Sequence, residues 1–111
     1  MNQADLFNEI ISTYRKHGWQ LERVLLSPET RAELMESRLG IFEDTTVKED
    51  VCDALWFARP SHAGREAWEL RLVSEMAYAL FETFEIEEAE EDREEVRREM
   101  EERLREHAGR S

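Results

Sequence analysis

This chain has one cysteine, two prolines and four glycines in 111 residues, and each scarcity excludes something. Cys52 stands alone and cannot close an internal disulfide, so the core must hold by packing, as in proteins of the reducing cytoplasm. Gly18, Gly40, Gly64 and Gly109 lie far apart, and no glycine-rich loop is available to cradle a phosphate. No apolar run approaches the ~20 residues of a bilayer-crossing helix. The opening Met1-Asn2-Gln3-Ala4-Asp5 lacks the basic and then apolar stretches of a secretory signal. A cytoplasmic protein without membrane association is expected.

Positive charge is also short. Against 27 acids stand 15 Lys and Arg, a net charge of −12, and no segment gathers bases without acids between them. Direct nucleic-acid binding is therefore not expected, because a phosphate backbone would be repelled. The acidity suits a basic protein partner or simple solubility.

What the chain does have is a break in composition near Glu85. All ten aromatic residues precede it, and after it comes a tail of Glu and Arg. The expected organisation is a single domain, with a globular body over residues 1–86 and a charged helical extension over 87–111.

Along the body, Leu6, Phe7, Ile10, Ile11 and Tyr14 recur at three-and-four spacing and predict a helix over Gln3 to His17, capped by Asn2 and ended at Gly18. Trp19 to Leu26 has the branching and length of a strand. Ser27-Pro28-Glu29-Thr30 is a helix start for a helix running to about Arg38 and stopping at Gly40. Glu43 to Asp50 reads as a loop or an irregular edge strand. Ala54 to Arg59 and the alternating Trp68, Leu70 and Leu72 flank the turn Pro60-Ser61-His62-Ala63-Gly64, an antiparallel hairpin. Alternation places Trp68 between the sheet and helix one.

Ala77 to Ile86 fits either a helical stripe or a strand, and its Phe and Thr content favours the strand. The tail is predicted helical from its Glu, Arg, Met and Leu content and its Glu-to-Arg pairs at i, i+4. Val96, Met100 and Leu104 form a seam for packing or for a dimer, too narrow to anchor a core helix and leaving the tail removable. The fold expected is α+β: a small antiparallel sheet of three to four strands, two helices on one face, and a charged C-terminal helix.

Chemistry is sparse. Cys52 and His62 could pair as nucleophile and base, but a lone cysteine beside Val51 and Ala54 is the pattern of a small buried side chain. His17, His62 and His107 share no ligand spacing, so no metal or cofactor is expected, and no catalytic residue is assigned. Trp56 and Phe57 alternate onto opposite faces of one strand. With few helices to cover both, the choice is between core on both faces and one face serving as a binding surface framed by Arg59 and Arg71. The function expected is a non-enzymatic protein–protein interaction module acting as a homodimer, with a small Cys/His hydrolase or transferase, or an acidic DNA-mimicking inhibitor, as alternatives.

Overall fold

Asn2 turns the chain into the first helix: its side-chain oxygen accepts the Asp5 N–H at 2.8 Å, satisfying a donor that the first turn leaves unpaired. The computed structural model, which describes residues 2–36 and 45–110, carries that helix, α1, over Gln3–Lys16. Gly18, at φ +84°, makes the left-handed turn out of it. Strand β1 (Gln20–Leu26) follows, then α2 (Pro28–Glu36), where the Ser27 hydroxyl accepts the Thr30 N–H at 3.3 Å. The end of α2 expected at Arg38 and Gly40 lies outside the described residues. The remaining elements are β2 (Thr46–Glu49), β3 (Ala54–Pro60), β4 (Glu66–Leu72), β5 (Ala79–Phe84) and α3 (Glu90–Gly109).

The strands form one sheet in the order β2-β1-β3-β4-β5. The fold is α+β as expected, with one strand more among the described residues than the three to four foreseen. That strand, β2, is the edge piece inside Glu43 to Asp50, and it runs parallel to β1, unlike the antiparallel rest. A helix joins the two, and a crossover of that kind returns a strand in the same direction. The ambiguous segment Ala77 to Ile86 holds β5, the strand favoured by its composition.

Both faces of the sheet are covered at its centre. Residues 54 to 58 of β3 are buried without alternation, the mark of a strand enclosed on two sides. On one face α1 and α2 bring Phe7, Ile10, Ile11 and Leu34 against Val24, Leu26, Leu55 and Phe57. On the other, α3 brings Met100 and Leu104 against Leu25, Trp56, Trp68, Leu70 and Phe84. Trp68 is thus in the core, but under α3 and not under α1 as its alternation suggested. No helix among the described residues is long and apolar enough to cross a membrane.

The narrow seam of α3 is supplemented by buried charge. Arg97 is 1% exposed, its guanidinium 4.0 Å from the Trp68 ring centre and 5.2 Å from that of Phe84. Glu101, 4% exposed, accepts the Trp56 indole N–H at 2.9 Å. Ion pairs Arg23–Glu94 at 2.6 Å and Arg105–Asp50 at 2.9 Å tie the helix to the sheet and to the segment after β2. The apolar stems of these arginines do packing work that a count of apolar residues misses.

The Nε atom of Arg97 is buried without a hydrogen-bond partner, so its charge carries a desolvation cost set against its ion pairs with Glu90 at 2.6 Å and Glu94 at 3.7 Å. Arg97→Met, which keeps the stem and its aromatic contacts, is expected to hold stability within about 1 kcal/mol of the parent or above it. Arg97→Ala is expected to lose about 1 to 3 kcal/mol by urea denaturation. Equal losses in both would show that the charge, not the packing, is what the position needs.

Acid should loosen α3 first. The hydrogen bond from Arg23 holds the Glu94 carboxyl below its ordinary value despite burial. For Asp50 burial pushes up, but the bonds from Arg105 and the Val51 N–H outweigh it and the net shift is down. Depressed folded-state values mean that both contributions are complete above the ordinary 4.5 and 3.8 and fade as pH falls below them. Glu22, raised by burial and by Glu66, acts with the opposite sign and offsets part of this. Tryptophan fluorescence followed from pH 6 to pH 2 is expected to shift below about pH 4. Mutating Asp50 to Asn should shrink the shift.

Candidate interaction surface

Strand β5 ends the sheet, and its register on β4 decides which of its backbone groups are spent. Glu66 pairs with Phe84, Trp68 with Glu82 and Leu70 with Leu80, alternating with Ala67–Thr83, Glu69–Phe81 and Arg71–Ala79. The Leu72 N–H donates to the Tyr78 carbonyl at 2.9 Å, which puts the even-numbered residues in the bonded pairs. The N–H and C=O groups of Ala79, Phe81 and Thr83 therefore point away from β4. Among the described residues no strand pairs with that outer side.

Carboxylates close the far end of this edge. Glu82 Oε1 accepts the Thr83 N–H at 3.1 Å, and Glu88 Oε1 accepts the Glu85 N–H at 2.8 Å. Arg93 Nη2 donates to the Glu85 carbonyl at 2.6 Å. The outward groups of Ala79 and Phe81 have no strand partner among the described residues, a row of donors and acceptors of the kind that accepts another strand.

The same strand carries exposed apolar surface. Among the described residues the exposed large apolar side chains are Val51, Met76, Phe81 and Ile86, and the last three lie just before, within and just after β5. Phe81, 57% exposed, meets Trp19 edge-to-face at 6.4 Å, and the Arg59 guanidinium lies 4.5 Å over Trp19. Beside them, Tyr14 stacks on Phe57 at 4.0 Å and donates its hydroxyl to Glu69. Burial, then the Glu69 bond and charge, pushes the Tyr14 hydroxyl well above its ordinary value, so it stays a proton donor. Helices α1 and α2 cover β2, β1 and β3; over β4 and β5 this face is a shelf of half-buried Glu69, Arg71 and Thr83 around Phe81.

Of the residues expected to form a binding surface, Trp56 and Phe57 do not. Both are 0% exposed, because a helix sits on each face of β3. Arg59 and Arg71 do lie on the α1 side near Phe81, with Arg59 Nη1 donating to the His17 carbonyl at 2.9 Å and Arg71 Nη1 to the Leu72 carbonyl at 2.7 Å. Met100 and Leu104 are buried and Val96 half-buried against the sheet, so the seam packs within the chain and is spent there. The sequence alone assigns none of Phe81, Met76 and Ile86 to a binding surface. Their signal was present in the alternation that puts Phe81 opposite Leu80 and Phe84.

Cys52 and His62 are not brought together: Cys52 precedes β3 and His62 follows it, exposed in a 3-10 turn at its other end. Cys52 instead lines a cleft of about 510 Å3 with Leu72, Met76 and His107. Burial, then the charge of Asp50, pushes its thiol up, away from the nucleophilic thiolate. The neighbouring Asp53 is committed to structure, accepting from Ser27 N–H at 2.8 Å, Thr30 Oγ1 at 2.6 Å and Gln3 Nε2 at 3.0 Å. Among the described residues no group of three or more His, Cys, Asp and Glu side chains is placed to hold a metal ion. No protein-family model matches the chain, and neither a curated protein nor a solved structure is detectably similar to it.

Proposed function

We propose that the protein is a non-enzymatic interaction module that docks a protein partner along the outer edge of β5. One observation carries this reading: the outward backbone groups of Ala79 and Phe81 run beside an exposed phenylalanine, so hydrogen bonds and apolar contact are offered together. Strand addition to a sheet edge uses that combination, with the main chain supplying affinity and the alternate side chains specificity. The nucleophile-and-base alternative has no support from the placement of Cys52 and His62. The α3 seam that the sequence offers for a homodimer is buried within the chain and offers no such contact.

A photo-crosslinking phenylalanine analogue in place of Phe81 tests the reading in the native cell, with the same group at Ser12 on the outer side of α1 as control. Adducts of defined mass are expected from position 81 and none from position 12. Equal labelling at both, or none at 81, would remove the β5 edge as the docking surface.

A further inference from the structure

The charge of this molecule is gathered where the open edge is. Residues 66–92, from β4 through β5 to the first turn of α3, hold ten acids and Arg71 alone among bases, −9 of the chain's −12. Arg65 and Arg93 reach in from outside that stretch to pair with Glu85 at 3.0 Å and Glu66 at 3.7 Å. Glu75, Glu82 and Glu87 remain exposed around β5. Resting on the interaction reading above, we infer that the partner of this edge is an extended segment of another protein that alternates basic and apolar residues, and not a second copy of this chain.

The geometry of Glu82 links the charge to the backbone. In the free chain its carboxylate occupies the Thr83 N–H, the outward donor that an added strand needs. An incoming carbonyl takes that donor and releases the carboxylate, which then requires a cation. A Lys or Arg of the added strand lying opposite Glu82 supplies one, on the α3 side of the sheet. Its neighbours in sequence point to the other face, where Phe81 and Trp19 offer apolar contact. A second copy brings no cation from its own β5, which holds neither Lys nor Arg, and sets one −9 region against another. Like charges facing each other across strands are destabilising, and this edge is defended against its own kind while open to a basic strand.

The test uses the whole chain and a synthetic peptide of about eight residues, a long strand, alternating Lys and Val. Its controls are the Glu and Val analogue, the Lys and Val peptide with a central proline, and the double variant Glu82→Lys, Glu87→Lys. Residue-resolved amide exchange and fluorescence titration are the readouts. The basic peptide is expected to slow exchange at Ala79, Phe81 and Thr83 at least tenfold, and to bind roughly tenfold more weakly when salt rises from about 0.05 M to 0.5 M. The proline peptide, the acidic peptide and the double variant should each abolish that protection. Equal binding of both alternating peptides would overturn the charge assignment and leave the docking edge standing. Protection of β5 that grows with protein concentration alone would make a second copy the occupant. Binding of the basic peptide without protection of β5 would reduce it to surface adhesion and overturn the proposal. Failure of either peptide to touch β5, together with silence of the crosslinker at position 81, would bring down both readings.

Discussion

A chain cut after Glu88 is expected to lose its cooperative unfolding transition, although the segment removed is the most charged and least apolar part of the sequence. Cutting there deletes Met100 and Leu104, buried to 3% and 1% exposure, and uncovers Trp56 and Phe84, at 0% and 1%. Burial of each such side chain contributes about 1.5 to 3 kcal/mol. Four of them together rival the ~5 to 15 kcal/mol that holds a domain of this size. The cut also strips Arg23 and Asp50 of the partners that α3 supplies. Thermal melting followed by circular dichroism reads the outcome. A sharp transition in the shortened chain would mean that α1, α2 and the sheet form a sufficient core without the second face.

Trp56→Ala is the substitution expected to do most damage. The indole is fully buried, meets Trp68 edge-to-face at 5.8 Å and donates to Glu101 at 2.9 Å. Truncation leaves a cavity, costing about 3 to 5 kcal/mol. It also leaves the buried Glu101 carboxylate with one donor fewer, about 1 to 3 kcal/mol more. Trp56→Phe separates the two contributions, because it retains most of the packing and loses the hydrogen bond. Urea denaturation of the two variants should give Trp56→Phe a loss of about 1 to 3 kcal/mol and Trp56→Ala a loss close to the whole stability. A Trp56→Phe variant as unstable as Trp56→Ala would place the energy in the indole–carboxylate bond and not in the filled core.

The parts of the fold legible in the sequence are those whose signals are local. Asn2 and the stripe from Leu6 to Tyr14 specify α1, Ser27-Pro28 starts α2, and the alternation after Gly64 specifies the β3–β4 hairpin. What stayed hidden depends on contacts between distant segments. The α3 stripe looks too thin because periodicity counts Arg97 and Glu101 as polar, whereas Arg97 lies on Trp68 and Glu101 takes the Trp56 indole. Once α3 is counted as a core helix, Trp56 and Phe57 cannot be a surface. The same physics moved the candidate site outward: Arg59 and Arg71 were placed near it, but its centre at Phe81 became visible only when β5 was known to be a strand at the end of the sheet. The parallel pairing of β1 and β2 had no signal of its own beyond the Thr and Val of residues 45–47.

Residue-by-residue amide exchange of the free chain tests directly whether helices cover both faces at the centre of the sheet and leave the outer edge of β5 open. Exchange along β5 should alternate. Leu80, Glu82 and Phe84, bonded to β4, should be protected like the amides of β3, while Ala79 and Phe81 exchange within a few-fold of an unstructured chain. Uniform protection from Ala79 to Phe84 would mean that the edge is already occupied and closed to a further strand.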